Sequence, residues 1–412
     1  MGRSLATPIE GNEPVGDRRI IMTYCASYSK APDLTIALDE ICDELARGRG
    51  LNGIPPDISF LFVSHSHADR FEDLASLVYQ RSQTRLMLGC TGETIAGGGE
   101  EIESGPAISM WSAVLPDAEI ELFHAEFSQT PDGIVCDGLP SGLAEERADV
   151  RAVFVFGEPF SADPRSLIDR LADELPGVPV IGGMASGAAG PGMNRLFLNS
   201  TAVANGAVGA VVRGGPRIRS VVSQGCRPIG KHYVVTRAEQ NIVHELGGVP
   251  PMQRLHELLP TLSDQDQQLI HSGLHLGIVM NEYQETFARG DFLIANVIGA
   301  REDDGSLAIG NSVRVGQTVQ FHVRDAVTAD EDLVRLLEQD RTTNSNPPQG
   351  ALLFSCNGRG TRLFPEPNHD TGTIQEKIGP IPLAGFFAQG ELGPVGGRNY
   401  VHGFTASVAL FE

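Results

Sequence analysis

His65-Ser66-His67-Ala68-Asp69 sets two imidazoles and a carboxylate at alternate positions directly after an apolar run. That spacing on a loop can turn neutral imidazoles toward one metal centre, as a metal-dependent hydrolase requires. Arg70 follows at once, a cation that would oppose a metal. The alternative is a polar loop in which Asp69 caps the next helix. Cys356-Asn357-Gly358-Arg359-Gly360 is a second candidate. A thiol beside backbone N–H groups and a guanidinium has surroundings that lower its pKa. Nucleophilic use needs a base, which only folding could bring from His369 or His402. Free cysteine is also among the most buried residue types, so a structural or ligand-lining thiol is the other reading.

Phe386-Phe387-Ala388-Gln389-Gly390-Glu391-Leu392-Gly393-Pro394 is the most distinctive run. Its glycines let backbone N–H groups approach a ligand or another loop. Glu391 suits a ligand ammonium, and Arg359 suits a carboxylate held by two parallel bonds. The pair would fit a zwitterion. They can equally bond each other or cap turns. Cys90 and Glu93 in an earlier glycine turn, and Ser186 in another, occupy places like those of Gln389 and Glu391. Arg324-Asp325 closes a strand, and neighbours on a strand face opposite ways, so both line one site only if the strand has ended.

Three stretches of chain must position these groups. Ile58–Ser64 reads as a strand, 71–80 as a helix and 85–88 as a strand entering Gly89-Cys90-Thr91-Gly92-Glu93. Val153–Phe156 is a strand, Asp163-Pro164 starts a helix carrying Leu167, Ile168, Leu171 and Leu175, and 178–181 is a strand entering Gly182-Gly183-Met184-Ala185-Ser186-Gly187. Residues 351–354, a helix over 375–378 and a strand over 382–387 repeat the scheme and enter Ala388-Gln389-Gly390-Glu391. The expected fold class is therefore α/β, with mixed sheets and repeated strand–loop–helix–strand units ending in glycine-rich turns. Ligands of open α/β sheets bind beyond the carboxyl ends of strands, which favours these turns as the site. None has the lysine of a phosphate loop, and none opens a long helix with Gly-x-Gly-x-x-Gly.

Elsewhere, Asp33 is placed to cap a helix with Leu34, Leu38, Ile41 and Leu45 on one stripe, ending over 47–53. Segments 202–212, 218–223, 232–236 and 240–245 read as an antiparallel meander. Asp303-Asp304-Gly305 signals a hairpin. Asp330 is expected to cap a helix bearing Leu333, Leu336 and Leu337. Residues 1–19 read as a tail, and a domain boundary is expected near Gly247–Pro251.

The chain has 412 residues, enough for two to three domains, and 31 basic against 52 acidic residues give a net charge of −21. That field repels nucleic acid and anionic membranes, so neither is an expected partner. No apolar run approaches the roughly 20 residues of a spanning helix, and residues 1–20 lack a secretory core. Cysteines 25, 42, 90, 136, 226 and 356 show no paired short spacing, which suits free thiols in a reducing, cytoplasmic setting. No cofactor or metal is called for by a complete motif.

The sequence resembles the FIST-domain family. The resemblance rests on Leu88–Glu93, on 181–186, on Ser223-Gln224-Gly225-Cys226-Arg227-Pro228-Ile229-Gly230, on Phe321–Asp325, on Cys356–Gly360, on Gly385–Pro394 and on His402-Gly403-Phe404-Thr405. It implies two modules, 35–247 and 248–412, behind a flexible leader over 1–34. It further implies a sensory module of signal transduction that binds a small polar metabolite, such as an amino acid. The family occurs beside bacterial signalling output domains and, in eukaryotes, beside an F-box. No such segment is recognised in this chain, so a separate signalling protein is the expected partner. The expected ligand-binding residues are Arg359 and Glu391 as charged contacts, with Cys356, Asn357, Gly358, Gln389, Gly390, Cys90, Thr91 and Glu93 lining the site. A cysteine-nucleophile enzyme at Cys356 and a metal-dependent hydrolase at His65, His67 and Asp69 are the alternatives.

Overall fold

A computed structural model describes residues 22–46, 51, 53–131 and 133–412. Residues 1–21, with the expected tail, and 47–50 and 52, within the expected helix stop, lie outside the described residues. The three repeated units each form a parallel strand pair joined over a helix. They are Ile58–Ser64 with Leu86–Gly92, Val150–Gly157 with Val180–Met184, and Gly350–Cys356 with Leu383–Ala388. The connecting helices are Phe71–Ser82, Pro164–Glu174 and His369–Ile378.

The repetition extends to whole sheets. Beside each first strand runs an antiparallel neighbour: Ile108–Val114, Ala207–Gly214 and Ala406–Phe411 respectively. Beyond these lie Thr23–Ser29, Ala118–Thr130 and Ile218–Ser223. Each second strand pairs with a hairpin contributed by another unit. The hairpin after the first unit's second strand, Ile95–Gly97 with Glu100–Ile102, joins the third sheet. That after the second, Leu196–Leu198 with Thr201–Val203, joins the first sheet. That after the third, Glu391–Val395 with Arg398–His402, joins the second. The exchange closes a cycle, so the three sheets share one strand order; Gly133–Asp137 adds a seventh strand to the second.

One residue choice recurs for one reason. Gly89, Gly182 and Gly385 face Leu61, Val155 and Leu353 on the paired strand, and a Cβ there would lie 1.9, 2.0 and 1.9 Å from the facing carbonyl oxygen. Only glycine allows that approach. Inside the three sheets, Phe60, Phe62, Trp111, Phe154, Phe156, Phe354, Phe386 and Phe411 form a fully buried aromatic centre. Ring centroids are 5.0 Å apart for Phe60–Phe154, 5.6 Å for Phe62–Phe156 and 5.2 Å for Phe62–Phe386. Each such pair contributes about 0.5–1.5 kcal/mol beyond its buried area. Helices cover the outer faces. Leu34–Ala46 and Phe71–Ser82 pack on the first sheet, Pro164–Glu174 on the second, and Ala326–Thr343 with His369–Ile378 on the third.

Cys226–Glu239, Ile242–Leu246, Leu307–Ile309, Phe292–Ala300, His275–Val279 and Thr318–Arg324 close a separate antiparallel barrel. Its own core includes Val235, Leu276, Val319 and Phe321. The barrel is inserted between strand Ile218–Ser223 and helix Ala326–Thr343 of the third unit. The Gly247-Gly248 turn at the expected boundary follows barrel strand Ile242–Leu246.

Several expectations are met locally. Asp33 Oδ1 accepts from Thr35 and Ile36 N–H groups, and Asp163 caps its helix. The Asp303–Gly305 turn lies between the paired strands Phe292–Ala300 and Leu307–Ile309. Others are corrected. Within the stretch read as a leader, Thr23–Ser29 is a strand of the first sheet. The expected meander is divided among the three sheets and the barrel, because short β-branched runs specify strands without specifying partners. Asp325, not Asp330, caps helix Ala326–Thr343; Asp330 instead bonds His369 at 3.0 Å. Asp69 is exposed, and helix Phe71–Ser82 has no side-chain cap.

Candidate functional site

The glycine turns leave the second strands at one end of the molecule, where they are stitched together. Ser186 N–H donates to Thr91 O at 3.1 Å, and Ser186 Oγ accepts from Glu93 N–H and donates to Phe387 O. Met184 N–H donates to Gly390 O at 2.8 Å, and Gln389 N–H to Met184 O at 3.1 Å. These bonds fix Gln389 and Gly390 relative to the second unit. Asn357 is fixed in turn by its N–H, which donates to Ala388 O at 3.1 Å.

Beyond these ends lies a cleft of about 390 Å³, walled by the three-sheet body on one side and the barrel on the other. Cys356, Asn357, Gly358, Gln389 and Gly390 line it, joined by His402 and Phe404 from the body and Asn296 and Asn311 from the barrel. Five of the expected residues therefore converge. Among the described residues, three buried acceptors in this lining have no partner: Asn357 Oδ1, Asn296 Oδ1 and His402 Nδ1. His402 Nε2–H donates to Gly393 O at 3.0 Å, and burial lowers its pKa to about 4, so Nδ1 carries a free lone pair at neutral pH. Phe404 holds a left-handed backbone, φ 65°, which costs a bulky residue roughly 1–3 kcal/mol. It is clamped by the Arg324 guanidinium, 3.9 Å from its ring centroid, and by the His275 ring. Strand Thr318–Arg324 ends at Arg324, whose guanidinium donates to Gly358 O at 3.1 Å, while Asp325 caps the following helix by accepting from Thr328 N–H.

Arg359 and Glu391 are not in the cleft lining; both are fully buried. Arg359 makes two parallel bonds of 2.7 Å to Asp370, which also accepts from Ser355 Oγ. Burial works to raise the Asp370 carboxyl, and the Arg359 guanidinium more than reverses this, leaving it well below the ordinary carboxylate range. Glu391 Oε2 accepts from Thr405 N–H at 3.0 Å and Thr405 Oγ1 at 2.9 Å. Burial pushes its carboxyl up to about 8, against the smaller opposing effects of Thr405 and the Cys356 thiol, so it is protonated at neutral pH. The two residues thus each have a partner within the chain, and neither bonds the other.

Cys356 is half-buried, and its Sγ accepts from Gly358 N–H at 3.4 Å. Packing around the sulfur, with Glu391 nearby, pushes the thiol up to about 12. That is the opposite of an activated nucleophile. Cys90 belongs to the aromatic centre, and Thr91 bonds Asn194 and Arg195. Glu93 pairs with Arg362, tying the first unit's turn to the third unit's loop. These three are away from the cleft. His65 Nε2 bonds Asn194 at 3.2 Å, His67 is buried and Asp69 exposed. Among the described residues, no group of three or more His, Cys, Asp or Glu side chains is placed to hold a metal ion. No helix among them is long and apolar enough to cross a membrane. Asn296, Asn311 and Arg165 of the lining carry no signal in the sequence, because their place depends on how the barrel docks.

Comparison with known proteins follows the same lines. Residues 57–249 match the FIST N domain and 251–394 the FIST C domain. An uncharacterised protein of Mycobacterium tuberculosis is 42% identical over 394 residues, covering 95% of this chain and 100% of its own length. One from Mycobacterium bovis is 40% identical over 393 residues, covering 95% and 98%. An F-box/LRR-repeat protein of Arabidopsis thaliana is 27% identical over 105 residues, 24% of this chain and 20% of its own.

Proposed function

The chain belongs to the FIST family, whose domains are associated with small-ligand sensing in signalling, and from that premise we propose that it is an intracellular sensor of a free amino acid. The ligand sits in the cleft between barrel and body. The observation that carries this reading is the trio of unpartnered acceptors, Asn357 Oδ1, Asn296 Oδ1 and His402 Nδ1, in one lining. Three acceptors converge on a donor-rich group, and an ammonium presents three N–H bonds. Arg165, exposed at the same cleft, supplies a guanidinium for the carboxylate. Because body and barrel each contribute a wall, an occupant bridges them. A change in their relative position is then the signal passed to a separate partner protein.

The test is a thermal-melt and calorimetric screen against the standard amino acids. A ligand at about 100 times its dissociation constant adds about 2.7 kcal/mol to the native state. Asn357→Ala and Asn296→Ala should each weaken binding about tenfold or more, the usual loss for a hydrogen bond to a charged group. The reading fails if no amino acid binds saturably, or if both variants bind as the parent does.

A further inference from the structure

A larger cleft, about 650 Å³, opens beside the first, between helix Pro164–Glu174, hairpin Glu391–Val395/Arg398–His402 and the barrel. Its volume is that of a small-molecule site. Three arginines reach it from three separate elements. Arg165 stands in the first turn of the helix, Arg314 in the loop before barrel strand Thr318–Arg324, and Arg398 directly after the Gly396-Gly397 turn of the hairpin. Both turn glycines have positive φ, 59° and 78°, which is what a two-residue hairpin turn needs to place Arg398 there. The hairpin is further pinned by Asn399, whose side chain accepts from Val180 N–H at 2.9 Å and donates to Val178 O at 2.8 Å.

All three arginines are exposed, and none has a carboxylate partner among the described residues. In the whole chain 52 acidic residues outnumber 31 basic ones. Several arginines elsewhere are engaged: Arg219 with Asp340 and Glu412, Arg227 with Asp266 and Asp325, Arg359 with Asp370. Asp169 is the one acidic residue among the described lining. A guanidinium fork matches carboxylate and phosphoryl oxygens, and three forks around one concavity in an otherwise acidic molecule concentrate anions there. From this convergence we infer that the cleft binds a small polyanion carrying two or more carboxylate or phosphoryl groups. Arg165 borders both clefts, and this site goes beyond the amino-acid reading through Arg314 and Arg398, which do not line the smaller cleft and on which it is tested separately.

The experiment is calorimetric titration of the full chain with inorganic pyrophosphate and with citrate, at fixed ionic strength. Saturable binding of either is expected. Arg314→Gln and Arg398→Gln should each weaken it about tenfold, while Arg341→Gln, at an exposed arginine in the last turn of helix Ala326–Thr343, should leave it unchanged. Binding of pyrophosphate alone identifies a phosphoryl ligand, and of citrate alone a polycarboxylate; both support the site. Absence of saturable binding overturns it, as does equal weakening by all three variants, which would mark diffuse charge attraction. Unchanged melting of the unliganded variants shows that the substitutions leave the fold intact.

Discussion

Glu391→Gln should change how stability depends on pH more than it changes stability itself. The native carboxyl titrates near 8, and the same group has a model value of 4.5. Between those values the folded chain keeps a proton that the unfolded chain has released. Stability contributed by this group is therefore fully present below pH 4.5 and is lost as pH rises through 8. The loss is about 1.4 kcal/mol for each pH unit, or about 5 kcal/mol over the span. Glutamine keeps an oxygen to accept from Thr405 N–H and Oγ1, so the local bonds survive. It does not titrate. Urea unfolding of parent and variant from pH 5 to 9 gives the difference curve directly, and every other titrating group cancels in it. The variant should be near parity at pH 5 and increasingly the more stable of the two toward pH 8, with the gap flat above. Parallel curves would mean that Glu391 is ionised inside the fold, and the account of its burial would be refuted.

Two other outcomes follow from packing. With its thiol pushed up to about 12, Cys356 should alkylate slowly at pH 7.5 in the folded chain; mass-spectrometric labelling showing it far ahead of the other five cysteines would revive the nucleophile reading. Gly89→Ala, Gly182→Ala and Gly385→Ala should each cost at least about 3 kcal/mol, the upper range for overpacking, since each Cβ would meet a strand carbonyl within 2.0 Å. Gly372→Ala is the control: with open space around it in helix His369–Ile378, it should stabilise by about 0.5–1 kcal/mol.

What the sequence disclosed was local. The three strand–helix–strand units, the helix caps at Asp33 and Asp163 and the glycine turns are written in neighbouring residues, and all were legible. Strand partnership was not. Ile218–Ser223 was recognised with correct bounds, yet its partner is Ala406–Phe411, almost 200 residues away. Strands Ile108–Val114 and Ala118–Thr130 went unread: the first is buried on both faces and interrupted by Ser109 and Ser112, so neither alternation nor a pure apolar run marks it. The site shows the same division. Motif spacing led to Cys356–Gly358 and Gln389–Gly390 at the strand ends. It could not show that Arg359 turns away to Asp370, because the partner's identity depends on a helix 11 residues further along packing behind the strand.

The three-unit architecture explains why one strand end is open. Three residues beyond the positions facing Gly89, Gly182 and Gly385 stand Ser64, Glu158 and Cys356. In the first unit Ser64 Oγ donates to Gly105 O at 3.1 Å and accepts from Ala107 N–H at 2.9 Å. In the second, Glu158 accepts from Phe160 N–H, Ser161 Oγ and Asn194 Nδ2. Each end is closed by its own chain. In the third, Cys356 Sγ accepts from Gly358 N–H at 3.4 Å and has the Glu391 carboxyl nearby, and the cleft lies opposite. The barrel, inserted in the third unit's own chain, stands as a wall at a distance where the other units have a polar cap. Serine already serves at the equivalent place in the first unit, so Cys356→Ser should fold with a stability change within about 1 kcal/mol. Its effect should appear in ligand response, because the changed atom lines the cleft. A large drop in melting temperature with unaltered ligand response would make Cys356 a packing residue, and the cleft wall would have to be sought among its neighbours.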